Sequence, residues 1–216
     1  MRVKALYIIF AAIITPVFLS SCLGIKADIA LNANGSGTIS LEYEIAKSLD
    51  SLGQMDGNER WGTVPVGHSD FERTLDRLPE LRLLSFSSRE DERNIYISAR
   101  LEFTSIRGLL SFLDPPSERS AFSGDAASGL MTFTLSEGNQ PVNPALDRFL
   151  EEVFRPYSVD ISMSFPGQGR LNVTDAQGSP FQGAAVTAGQ GRSVSSVIPL
   201  YEVISARNGL VLEFSW

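Results

Sequence analysis

An α+β fold, an antiparallel β-sheet built from hairpins with several helices packed on its apolar face, is what this 216-residue chain predicts. Three observations carry that expectation. Apolar and polar residues alternate strictly in many short runs, which gives strands one buried and one wet face. Glycine- and asparagine-rich turns join neighbouring runs, and capped amphipathic segments with helical spacing interrupt them.

The elements follow in order. In "IKADIAL" and "GTISLEYEI" the apolar positions are Ile25, Ala27, Ile29 and Leu31, then Ile39, Leu41, Tyr43 and Ile45. Between them Asn34, Gly35, Ser36 and Gly37 tolerate positive φ, so a hairpin is expected. That glycine-rich stretch lacks the lysine of a phosphate-binding loop and leads into a strand, so the turn reading stands. In "HSDFERTLDRLPEL", Ser69 with Glu72 has capping-box spacing, Phe71, Leu75 and Leu78 share a face, and Pro79 ends the helix. "LRLLSFSS" and "NIYISARLEF" form a second hairpin around the acidic turn "REDERN".

Ser105 caps a short helix whose Ile106, Leu109, Leu110 and Leu113 sit together. Residues 114–128, rich in Pro, Ser, Gly and Ala, read as an exposed mobile loop. A strand follows with Met131, Phe133 and Leu135 on one face; Asn143 and Pro144 then open a helix striped by Leu146, Phe149, Leu150 and Val153. "SVDISMSFPG" alternates through Val159, Ile161, Met163 and Phe165. "GRLNVTD", "RSVSSVIPL", a short helix "LYEVISA" and a last strand with Leu210, Leu212, Phe214 and Trp216 on one face complete the chain. An outer-membrane barrel also ends on aromatic strands, but capped helices argue against one.

The N-terminus has its own grammar. A basic start, Arg2 and Lys4, precedes an apolar stretch from Ala5 to Phe18 and the small-residue tail Leu19, Ser20, Ser21, directly before Cys22. At about 1.5 Å per residue this stretch is short of the roughly 20 residues a bilayer core requires, so a secretory signal is the better reading. "LSSC" resembles the lipobox of bacterial lipoproteins. The resemblance implies cleavage between Ser21 and Cys22, a diacylglyceryl thioether on Cys22 and acylation, commonly with palmitate, of the new amino group. Two or three acyl chains anchor stably where one is marginal. Cys22 is the only cysteine, and an exported chain gains nothing from one free thiol. The expected organisation is thus a signal peptide over 1–21 and one exported domain over 22–216. Leu23 is not the aspartate that commonly retains such proteins on an inner membrane, which favours the outer membrane where a bacterium has two.

Charge and composition exclude further classes. Two of the 18 basic residues lie in the signal, which carries no acid, leaving 16 against 25 acidic residues in the exported part, a net charge of −9. Such a surface repels nucleic acid. His68 is the sole histidine; Ser69 and Asp70 beside it do not converge on one reacting atom, and no G-x-S-x-G elbow occurs. One histidine and no free thiol leave too few ligands for a transition metal, and "REDERN" lacks EF-hand spacing. No cofactor, metal or catalytic residue is therefore expected. Twenty-five acids leave room for a carboxylate pair of the glycosidase kind, but Glu42, Glu44, Glu151 and Glu152 read as solvated faces.

The lipobox, the strand pair around Asn34–Gly37, "VDISMSFPG" and the final strand together resemble the LppM-like lipoprotein domain. That resemblance implies an α+β domain held outside the membrane, with lipid or lipoglycan binding suggested for some members and no catalytic residues to carry over. Many members end in a transmembrane helix; with the chain stopping at Trp216, Cys22 is expected to be the only anchor. The functional expectation is a membrane-tethered, non-enzymatic domain binding a lipid, lipoglycan or envelope protein, by surface complementarity or in a greasy cleft between sheet and helices. The rivals are an envelope glycan or lipid hydrolase working through carboxylates and a structural subunit of an envelope complex.

Overall fold

The computed structural model describes residues 24–47, 65–115, 117–138, 144–188 and 192–216. Among these, eleven strands and four helices form an α+β fold. They run β1 (Ile25–Leu31), β2 (Gly37–Ala46), α1 (His68–Leu75), β3 (Leu81–Glu90), β4 (Asn94–Phe103), α2 (Ile106–Leu113), β5 (Ser120–Gly124) and β6 (Gly129–Ser136). Then come α3 (Pro144–Phe154), β7 (Ser158–Ser164), β8 (Arg170–Thr174), β9 (Ala185–Ala188), β10 (Ser193–Pro199), α4 (Leu200–Ser205) and β11 (Leu210–Ser215).

The strands divide between two sheets, where the sequence suggested one. Seven lie in the order β3-β4-β2-β1-β7-β10-β9 and four in the order β5-β6-β11-β8. All pairings are antiparallel except β1 with β7, which joins the two halves of the larger sheet in parallel. The reason for a second sheet is coverage. Four helices of six to eleven residues are too short to hide the apolar face of seven strands. The smaller sheet supplies Met131, Leu171, Val173, Leu210, Leu212 and Phe214 to the same buried cluster as Ile29, Ile39, Leu101 and Met163. Phe71, Phe103 and Phe214 are fully buried. Each contributes on the order of 2–3 kcal/mol by leaving water.

Local chemistry sets most boundaries. Gly35 turns the first hairpin at φ +83°, and Asn34 Oδ1 accepts from the Ser36 backbone N–H at 3.1 Å and hydroxyl at 2.7 Å. Ser105 caps α2, its Oγ accepting from the Gly108 N–H at 3.0 Å. Helix α1 is capped two residues earlier than Ser69 suggested: Gly67 is the cap, and its N–H donates to Asp70 Oδ2 at 2.9 Å. Phe71 anchors the helix against Phe86 of β3, ring centroids 5.5 Å apart.

The expectation of a loop over 114–128 needs correction, because β5 forms inside it and pairs with β6. Asp114 is the cause. Its buried carboxylate accepts the Arg119 and Ser120 N–H groups, each at 2.8 Å, and the Ser120 hydroxyl at 2.9 Å. Burial alone raises that carboxyl; these donors outweigh it and hold the group below its ordinary range. The small residues that suggested a loop instead permit close approach. A Cβ on Gly129 would stand 2.5 Å from the Trp216 ring.

Candidate ligand-binding cleft

Alternation that buries one face of the seven-stranded sheet leaves the other face polar, and register decides which polar groups meet. Asp160, Lys26, Glu42, Ser98 and Ser87 are successive cross-strand neighbours on β7, β1, β2, β4 and β3. Two residues along, toward the start of β1, a second row holds Glu44, Tyr96 and Arg89. Gly24 extends this row, its carbonyl accepting the Glu44 N–H at 3.3 Å. Ser158 begins β7 one residue before the Ile25–Val159 pair, which sets it beside Gly24. The two rows line a cleft of about 550 Å³. Five strands at about 4.8 Å spacing make it roughly 19 Å long.

The electrostatics are mixed. Lys26 Nζ lies 3.3 Å from Asp28 and 3.8 Å from Glu42. The Asp28 hydrogen bond and charge, then Glu42, raise its pKa above the ordinary lysine value. Burial, with the charge of Asp91 nearby, raises the Glu44 carboxyl above the ordinary glutamate range. Arg89 stacks over the Tyr96 ring at 4.3 Å, and the Tyr96 hydroxyl donates to Asp91 Oδ2 at 2.9 Å. Asp91 is held down at about 2, chiefly by the backbone N–H groups of Arg93 and Asn94 and then by that phenol. Asp160 Oδ1 is buried with no hydrogen-bond partner among the described residues. Leaving such a buried acceptor unmet costs about 1–3 kcal/mol. Cationic, carboxylate, hydroxyl and aromatic groups are thus spaced along one groove, beside Ile25 and Ile97.

This arrangement departs from the expected greasy cleft between sheet and helices, since the helices and second sheet fill that space with core. Glu42 and Glu44 lie on the wet strand face read from the sequence, and there they line the cleft. Lys26, Arg89, Tyr96 and Asp160 were not singled out by the sequence. Only cross-strand register reveals them, because they come from four strands separated by up to 134 residues. Leu19, Ser20, Ser21 and Cys22, with the signal peptide, lie outside the described residues. His68 stands exposed at the start of α1, its Nδ1 3.4 Å from Glu72 Oε1 and its ring edge-on to Phe86. Glu151 pairs with Arg155 along α3, and Glu152 is exposed. Among the described residues no three His, Cys, Asp or Glu side chains gather to hold a metal ion, and no helix is long and apolar enough to cross a membrane.

No protein-family model matches the sequence, and no curated protein matches it. Among solved structures, the chain is similar to the folded domain of LppM from Mycobacterium tuberculosis, determined by NMR. The superposition covers 89% of this chain and 88% of that one, with a TM-score of 0.41 and 9% sequence identity.

Proposed function

We propose that this chain is an exported lipoprotein, tethered by acyl chains on Cys22, whose domain binds a polar envelope ligand in the cleft without covalent chemistry. The observation that carries the proposal is the place of Gly24 in the cleft wall. Cys22 is two residues away, within about 7 Å along the chain whatever its path. A tether there holds the cleft beside a bilayer. The ligand chemistry favoured by the lining is the hydroxyl-bearing head of a lipid or lipoglycan. Its hydroxyls donate to Asp160, Glu44 and Glu42, and its acceptors meet Arg89, Ser87 and Ser98. Native mass spectrometry of the detergent-extracted protein tests this. A non-covalent adduct that disappears in an Asp160→Asn, Arg89→Ala double variant supports it; bare protein in both samples overturns it.

One observation favours a second reading, a hydrolase of envelope glycan or lipid. Glu44 has its carboxyl raised within a cleft that also holds Glu42 and Asp160, the kind of environment that tunes a general acid. Turnover of envelope glycans or glycolipids by the purified protein, lost in Glu44→Gln, would establish it.

A further inference from the structure

We infer that α3 makes a second contact with the bilayer, its Phe149 seated among the headgroups beside the acyl chains on Cys22. This rests on the tether reading above and extends it to a helix on another part of the sequence. Phe149 is 57% exposed, more than any other large hydrophobic residue described; Val197 follows at 44%. Single exposed apolar residues are ordinary. What distinguishes this one is its position.

The end of α3 meets the large sheet where the chain from Cys22 enters it. After Phe154, three residues lead to Ser158, the first of β7. β7 runs parallel to β1 with Val159 opposite Ile25, so Ser158 and Gly24 are neighbours at one end of the sheet. Leu200 N–H donates to the Tyr157 carbonyl at 2.8 Å, and Tyr201 donates to Asp147 at 3.2 Å. These bonds fix α3 and α4 to that end. Phe149 lies five residues before Phe154, about 7.5 Å along the helix axis. Phe149 is therefore less than two helical turns from the end of α3 that joins the sheet end a tether at Cys22 would bring to the bilayer.

The charges of α3 are mixed. Arg148 is exposed about 100° around the helix from Phe149, where a guanidinium meets headgroup phosphates. The acids on the helix are Asp147, engaged by Tyr201, Glu151, paired with Arg155, and Glu152, exposed about 60° from Phe149, which opposes binding to an anionic surface. Such a contact is too weak to recruit a protein alone. Tethering makes it intramolecular, so a weak contact suffices to set orientation.

Site-specific fluorescence on the mature full-length protein tests the inference. With Cys22 blocked as a thioether, Phe149→Cys gives the only reactive thiol for an environment-sensitive dye, because the chain has no other cysteine. Leu84→Cys serves as comparator. Leu84 is also exposed, but it lies six residues up β3 from Glu90, about 20 Å from that end of the sheet. The protein is reconstituted in phosphatidylcholine–phosphatidylglycerol vesicles carrying nitroxide-labelled lipid. The dye at position 149 shifts to the blue and is quenched at least threefold more than the dye at 84. Equal quenching at both positions in protein that floats with the vesicles overturns the inference. Protein that does not float and takes dye at Cys22 as well removes the tether, and the inference with it.

Discussion

The two faces of the seven-stranded sheet are made by the same strands, yet they are built by different rules. On the inner face Ile29, Ile39, Leu101 and Phe103 are interchangeable in kind, and burial alone places them. On the outer face Asp160, Lys26, Glu42, Ser98 and Ser87 are each different, and only strand register brings them into one row. The inner face therefore sets stability, and the outer face is where the proposed recognition would act. Damage to one should leave the other's property measurable.

The largest effect is expected inside. Phe103→Ala removes a fully buried ring and should cost about 3–5 kcal/mol of stability, read from urea unfolding. A loss under 1 kcal/mol would mean the inner face is not the stabilising one. Outside, Asp160→Asn should weaken the bound species at least tenfold in native mass spectrometry, about 1.4 kcal/mol, while leaving the unfolding midpoint unchanged or higher. The asymmetry follows from the place of Asp160 on the polar outer face, where an isosteric amide leaves the inner packing untouched. Unfolding of that variant at lower urea would blur the division of labour.

Smaller changes sharpen the contrast at the edges of the sheet. Ser105→Ala deletes the cap of α2, which packs on the inner side, and should cost about 1 kcal/mol with no change in ligand retention. The smallest expected effect is a pH response. Asp91, held at about 2, favours the folded turn at every pH above the ordinary aspartate value and loses that contribution as pH falls through about 2. The amide signals of Arg93 and Asn94 should then titrate near pH 2; movement centred near pH 4 would refute the geometry. Glu44 runs the opposite way. Its raised carboxyl is most compatible with the fold when protonated, and ionisation above the ordinary glutamate value withdraws that contribution.

What could be read from the sequence divides along the same line. Period-two alternation exposed the inner residues of β1, β2, β4 and β11, and Ser105 and Pro144 marked helix starts, because burial and capping are local signals. The second sheet stayed hidden, since alternation reports that a face is buried but not what buries it. β5 stayed hidden because Asp114, not an apolar pattern, organises it. The cleft was invisible for a stronger reason. Glu42 and Glu44 look like any solvated strand face until β7 arrives beside β1 with Asp160, and that pairing joins residues 134 apart.

The claim on which cleft orientation and helix contact both depend is the acyl tether at Cys22. Growth of expressing cells with radiolabelled palmitate, followed by N-terminal mass analysis of the mature protein, tests it most directly. The account predicts label in the wild type, none in Cys22→Ala, and a mature chain that begins at Cys22. An unlabelled wild-type chain, or one whose first residue lies upstream of Cys22, would contradict it.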